Sequence, residues 1–398
     1  LKELINTNKY WKVYMLAAVS FLIGTSEYMI AGILDKVAAD IGVTISAAGQ
    51  LITAFSLAYA VGTPILMAVT ARINRRDLLL YSLAFIVVGN ALVVILPGYG
   101  FMLLARVIMA LGTGVFVVTS LTVAAKLAPP NKQGSAIAIV LMGISASLIL
   151  GVPLGRIIAA SYDWKLIFGG IALLSILGMP IVARSIPRMD GEEPVSLAKQ
   201  LTMVKKPQIA LALGITFFWI LGYAIAFTYL SPYLLEVANM SERWVSVALF
   251  AYGIASLIGS KAGGFSTDKW GVAKTLTGGM LLNMVMLIVF SAASGTAAFL
   301  VFVLLMLWSF FSWSSAPTQQ YYLITLSPEA SGIMLGLNTS VLQLAMAAGA
   351  GIGGVIIEHV SLHAITWIAA ASIAVAAATT AVVFGSKRQV KDQTSFAE

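Results

Sequence analysis

Twelve apolar runs, each long enough to cross a bilayer, constrain this chain more than any other feature. They lie at 12–34, 47–70, 77–97, 100–124, 135–160, 165–184, 208–234, 245–265, 273–292, 297–322, 332–356 and 364–385. A helical span needs about 20 apolar residues to cross roughly 30 Å of hydrocarbon. The runs are rich in Ala, Leu, Ile, Val and Gly and lack the period-two alternation of a membrane barrel. Charge is scarce enough to support this reading: only 10% of the 398 residues are charged and 60% are hydrophobic, with mean hydropathy +0.95. A soluble domain carries about 25% charged residues. The expected fold class is therefore all-α and polytopic, with twelve transmembrane helices.

The same composition removes whole classes of chemistry. There is no cysteine, hence no disulfide, thiolate nucleophile or cysteine metal site. His359 and His363 have no acids placed to complete a metal centre. No nucleophile–base set and no nucleotide-binding P-loop is visible, which argues against an enzyme and against an ATP-driven pump. Net charge +8 comes from short basic tracts between the apolar runs, so nucleic acid is not expected as a partner. The first run is longer than a signal-peptide core and reads as a retained span. An opening Leu1 in place of Met suggests that the natural start lies upstream.

The basic tracts also give orientation. Nineteen of the 24 Lys and Arg fall on one side, in the N-terminus, the Arg72/Arg75/Arg76 loop, Lys126/Lys132, the 184–207 region, Lys261/Lys269/Lys274 and the tail. Lys36, Arg156, Lys165 and Arg243 fall on the other side, and Arg106 lies within a span. The positive-inside rule places both termini in the cytoplasm, as expected for an even number of spans.

One long polar connection, 185–207, divides the chain into 1–184 and 208–398, six spans each. PPNKQGSAIAI at 129–139 is echoed by SPEASGIMLGL at 327–337, and an offset of 198 also pairs Gly151 with Gly349 and Gly155 with Gly353. ARINRRD at 71–77 is echoed by DKWGVAK at 268–274. Two parallel repeats are the arrangement expected where one central site is alternately exposed.

These motifs resemble those of the major facilitator superfamily. Arg72, Asn74, Arg75 and Arg76 after the second span resemble the family's G-x-x-x-D-R-x-G-R-K/R loop, and Gly264, Asp268, Lys269 and Gly271 resemble its second copy. The first copy departs from the pattern, with Ala71 at the acid and Asn74 at a glycine. If that acid anchors the cytoplasmic gate, the gate relies mainly on the second copy. Arg106, Gly112 and Gly114 resemble the R-x-x-x-G-x-G of the fourth span. GISASLILGVPLG at 143–155 resembles the fifth-span antiporter motif, with Val152 inserted between Gly151 and Pro153. The resemblance implies two pseudo-symmetric six-helix bundles and the twelve-span drug/proton antiporter branch. GTSEYMIAGILDKVAADIGVTISAAGQL further resembles bacterial purine-nucleobase and sugar efflux permeases.

Glu27 is the acid that most needs explaining. It lies about fifteen residues into its run, roughly 22 Å along a helix, past the midplane. Charged residues at such depth face a cavity, find a partner or carry protons, and a carboxyl there can take up and release a proton as its surroundings change. The alternative is a permanently neutral or paired structural acid. Arg106 enters its span from the outer face and reaches a similar depth. It can tune or pair with Glu27, contact a ligand, or simply fasten helices through their carbonyls. Arg156 and Lys261 can snorkel to an interface and are expected to be structural.

Glycines 143, 151, 155, 349 and 353, with Gly112 and Gly114, let helices approach closely, and Pro153 adds a bend. Candidate substrate contacts are the polar and aromatic residues within spans: Tyr28, Tyr59 and Asn90, then Trp219, Tyr223, Tyr229, Trp313, Gln319, Gln320, Asn338 and Gln343. They suit a flat, mostly neutral compound, although aromatics near span ends are commonly interface anchors. The leading expectation is a proton-coupled antiporter exporting small amphiphilic or heteroaromatic molecules. Purine or sugar efflux without strict coupling is the alternative, and a non-transporting receptor the third. Membrane lipids are the surroundings, a small-molecule substrate the partner, protons the coupling ion, and neither cofactor nor metal is expected. The chain is expected to work as a monomer.

Overall fold

A computed structural model describes residues 2–129, 132–191, 202–293 and 298–395. The chain divides into two compact units, Leu1–Ser196 and Leu197–Glu398. Residues 192–201 of the connection lie outside the described residues, as do the side chains of the N-terminal and C-terminal basic tracts. No strand occurs among the described residues, and eleven helices are long and apolar enough to cross a membrane.

In the first unit, α1 (Lys2–Gly32) ends at Ile33 and is followed by the short α2 (Leu34–Ile41). Gly42 closes α2 with φ 67°, a left-handed C-cap that glycine adopts without steric cost. Helix α3 (Ile45–Val69) is capped by Thr44, whose side chain accepts from Ala47 N at 3.1 Å. Helix α4 (Arg75–Ile95) is capped by Asn74, which accepts from Arg76 N at 3.0 Å. The residue that departs from the loop signature thus serves as an N-cap, a role to which its short amide is well suited. Helix α5 is Tyr99–Leu127.

The fifth span divides into α6 (Gln133–Ala146), a π turn over Ser147–Gly151 and α7 (Val152–Ser161). Pro153 lies immediately beyond the π turn. It supplies no N–H and its ring crowds the carbonyl of the preceding turn, and one widened turn accommodates both effects. Helix α8 (Lys165–Ser185) completes the unit. Helices α4 and α5, α3 and α5, α4 and α8, and α1 and α6 pack against one another.

In the second unit, α9 (Pro207–Thr228) breaks at Tyr229 and passes through Leu230–Pro232 into a π turn at Tyr233–Val237. Helix α10 (Glu242–Ala292) contains 51 residues, about 77 Å at 1.5 Å per residue and far more than one bilayer crossing. It breaks at Gly271, where φ is 79° and ψ 166°. A residue bearing a Cβ would be strained there, so the two expected spans at 245–265 and 273–292 meet at this corner. Helices α11 (Ala298–Leu326), α12 (Ser331–His359) and α13 (Ala364–Ser395) follow. Helices α10 and α11, α9 and α13, α9 and α12, and α10 and α13 pack closely.

The 198-residue offset corresponds to equivalent packing in the two units. A Cβ on Gly151 would strike Thr25 of α1, and one on Gly349 would meet Ala224 Cβ at 2.5 Å and Leu221 O at 2.8 Å on α9. Likewise, a Cβ on Gly155 would strike Met29 of α1, and one on Gly353 would lie 2.5 Å from the Tyr229 ring. Each unit therefore presses the glycine face of its fifth span onto its first, the close approach that small residues permit in lipid.

Candidate functional site

Arg106 is fully buried in α5. Its Nε donates to Leu51 O at 3.4 Å, Nη1 to Ser26 O at 2.9 Å and Nη2 to Glu27 O at 3.0 Å. Its guanidinium also lies 4.2 Å from the centroid of the Phe55 ring, a cation–π distance. One side chain thereby joins α1, α3 and α5, using the fork of donors that only arginine has. Of the roles open to Arg106 from sequence, the fastening of helix carbonyls is the one the hydrogen bonds display.

Glu27, half-buried, stands at the same level. Its carboxylate is hydrogen-bonded to Tyr28, and its charge acts on Tyr28, Tyr59 and Arg106. Tyr59 is buried on α3. Next to Glu27, Ser26 Oγ donates to Asn90 Oδ1 at 3.0 Å, and Asn90 Nδ2 donates to Ile86 O at 2.7 Å. The acid, base, tyrosines and amide proposed from sequence in the first half therefore form one polar group linking α1, α3, α4 and α5.

The second unit builds a ladder between α9 and α11. At one end Gln319 Nε2 donates to Ala212 O at 2.6 Å and Thr216 Oγ1 at 2.9 Å, while Thr216 donates to Asn338 Oδ1 at 2.8 Å. Next, Trp219 Nε1 donates to Ser312 Oγ at 3.3 Å. The far end is aromatic: Tyr223 lies 5.6 Å from Trp313, 6.3 Å from Trp308 and 5.0 Å from Phe227 by ring centroids. Tyr252 of α10 adds contacts at 5.5 Å to Phe227 and 5.3 Å to Trp308.

The remaining proposed contacts separate. Tyr229 is buried with its hydroxyl donating to Ala350 O at 2.7 Å, which fastens the end of α9 to α12. Gln343 is buried, whereas Gln320 is exposed on α11. Of the helix-packing glycines, Gly112 and Gly114 meet Ser82 and Thr63, and Gly143 meets the Ala17 backbone, but Gly264 faces open space. In the loops, Arg75 N donates to Met189 O at 2.9 Å and Arg76 Nη1 to Ala183 O at 3.2 Å. Arg72, Asp268 and Lys269 are exposed.

Arg156 corrects the sequence reading most clearly. Instead of snorkelling, it is fully buried, with Nη1 donating to Gly32 O at 2.7 Å and to Asp35 Oδ1 at 2.8 Å, and Nη2 to Asp35 Oδ2 at 3.2 Å. Asp35 was missed because α2 reads as the polar margin of the first run. Tyr252 was also missed, although as an aromatic within a span it met the criterion that selected Trp313. No group of three or more potential metal ligands occurs among the described residues.

Residues 16–350 match the profile of the Major Facilitator Superfamily, with a second match over 244–398. The chain belongs to the major facilitator superfamily. It is a multi-pass membrane protein with the fold of that family's transporters. The MFS-type transporter YbcL of Bacillus subtilis, described as uncharacterized, is 54% identical over 96% of this chain and 98% of its own length. The inner membrane transport protein YdhP of Escherichia coli K12 is 30% identical over 86% of this chain and 88% of its own. A protein named "Probable sugar efflux transporter" in Mannheimia succiniciproducens is 23% identical over 93% of this chain and 92% of its own. Among solved structures, a D-xylose-proton symporter superposes with TM-score 0.76 at 17% identity, covering 93% of this chain and 97% of that one. At that identity the likeness concerns the fold alone.

Proposed function

We propose that this family member is a proton-driven exporter of small, mostly neutral amphiphilic or heteroaromatic compounds. The observation that carries the reading is the half-buried carboxylate of Glu27 beside Tyr28, Tyr59 and the fully buried Arg106. An acid at that depth is costly unless it is used or compensated, and Arg106, held by backbone carbonyls, supplies a fixed positive charge near it. Protonation of Glu27 weakens that attraction. Coupling follows if proton and substrate favour different members of an outward-open and inward-open pair. The protein then works as a monomer in the bacterial inner membrane with both termini in the cytoplasm, using protons and no cofactor.

The test is flux in proteoliposomes over a compound panel, with and without a pH gradient. Parent protein should accumulate substrate only with the gradient, and Glu27→Gln should bind but no longer accumulate it. Undiminished gradient-driven accumulation by Glu27→Gln would remove the acid from the mechanism. Sugar efflux without strict coupling is a second reading, favoured by the relatives named as sugar efflux transporters. It requires sugars in the panel to move equally well at equal pH.

A further inference from the structure

Two tryptophans in the second unit carry buried N–H groups that complete no hydrogen bond of standard geometry. Trp308, 1% exposed, has none for Nε1 among the described residues, and neither has Trp313 Nε1. The hydroxyl of Tyr252 lies beside Tyr223, Trp313 and Ser309 yet completes no hydrogen bond of standard geometry. All three rings belong to one cluster, through Trp308–Tyr252 at 5.3 Å, Trp308–Tyr223 at 6.3 Å and Trp313–Tyr223 at 5.6 Å.

The depth of the cluster makes these donors costly. Trp308 is ten residues into α11, about 15 Å along the helix, well inside the hydrocarbon layer. Lipid offers no acceptor there, so an unpartnered donor is a standing cost. Trp219 does find an acceptor, donating to Ser312 at 3.3 Å, and Ser309 donates to Tyr252 O at 2.7 Å, whereas Ser315 Oγ on α11 and Asn283 Nδ2 on α10 share the lack of a partner among the described residues. Unpartnered buried donors persist where another molecule completes them. Indole N–H groups can only donate, so the missing partner must accept.

We infer that the cluster of Tyr223, Tyr252, Trp308 and Trp313 is the recognition site for a planar, uncharged ring bearing hydrogen-bond acceptors such as carbonyl oxygens or ring nitrogens. The rings supply stacking area and the Trp308 and Trp313 N–H groups select the acceptors. Trp313, half-buried while the others are buried, forms the accessible edge. The inference rests on the transporter reading and adds its substrate class.

Equilibrium binding to purified protein in nanodiscs tests it without any gradient. Radiolabelled caffeine, which has acceptors and no N–H or O–H donor, is compared with naphthalene, which has neither. Caffeine should bind saturably, and Trp308→Phe and Trp313→Phe should each weaken it about 5-fold or more while naphthalene binding changes less than about 2-fold. Tyr252→Phe removes one oxygen and should leave the melting temperature of ligand-free protein undiminished while reducing the caffeine-induced rise. Absence of saturable caffeine binding, unchanged affinity in all three variants, or parallel loss of caffeine and naphthalene would overturn the inference. Glu27→Gln is read by gradient-driven flux, and the tryptophan variants by caffeine binding at equal pH. Failure of proton coupling and failure of this recognition site are thereby read separately.

Discussion

Arg106 Nη2 donates to the carbonyl oxygen of Glu27 at 3.0 Å, so the buried base grips the backbone of the residue whose charge it feels. With Ser26 O and Leu51 O it completes a three-carbonyl grip across two helices. A lysine keeps the charge but not the planar fork, and cannot reach three acceptors. Hydrogen bonds to charged groups contribute about 1.5–3 kcal/mol each, so Arg106→Lys should destabilise the protein by roughly 3 kcal/mol. Thermal unfolding in detergent checks this, and an unchanged melting temperature would reduce the grip to a minor contact.

Much of this group was legible in the sequence because depth is a one-dimensional property. Counting residues into a run placed Glu27 and Arg106 at similar heights, and an apolar setting made both conspicuous. Direction around the helix was less accessible. Gln319 and Gln320 are neighbours in sequence, yet about 100° of helical rotation turns one into the core and leaves the other exposed. The partner of Arg156 was equally hidden, because Asp35 lies 121 residues away and enters only through the break after α1. The π turn could be suspected only from Val152, the extra residue before Pro153.

Gly143 meets the backbone of Ala17, and backbone cannot rotate out of the way as a side chain can. Gly143→Ala should therefore force α1 and α6 apart, at a cost of about 1–3 kcal/mol. Gly134, on the same helix, has nothing within 4 Å of an added Cβ. Gly134→Ala should be neutral or slightly stabilising, since alanine favours helix. Paired melting curves decide whether contact or helix propensity governs this helix.

At the N-terminal end of the sixth span, Lys165 Nζ lies 2.9 Å from Asp40 Oδ2, and Trp164 Nε1 donates to the same oxygen at 3.2 Å. The hydrogen bond from Lys165, with support from its charge and from Trp164, holds the Asp40 carboxyl below its ordinary 3.8. A depressed carboxylate contributes stability above its unfolded value and loses it as pH falls through the folded one. The pair is substantially solvent-exposed, at 32% and 43%, so its contribution is below about 1 kcal/mol. Asp40→Asn should lower the melting temperature slightly at neutral pH, and the gap should close only as pH falls through the folded value, below 3.8. A constant gap down to pH 3 would assign the effect to packing.

The Asp35–Arg156 pair is the opposite case, with Arg156 fully buried and Asp35 15% exposed. Its two bonds, with the third to Gly32 O, tie α7 to the break between α1 and α2. Removing one partner leaves a buried charge uncompensated, which costs about 3–5 kcal/mol, whereas replacing both with apolar residues is often close to neutral. Asp35→Leu should therefore destabilise strongly, and Asp35→Leu with Arg156→Met should recover most of the loss, short of the bond to Gly32 O. If the double variant instead melts at the sum of the two single losses, the residues act independently. Transport by a well-folded double variant then separates two roles for the pair. Retained flux makes it a fastening of α1 to α7, and lost flux makes the ionic bond itself part of the transport cycle.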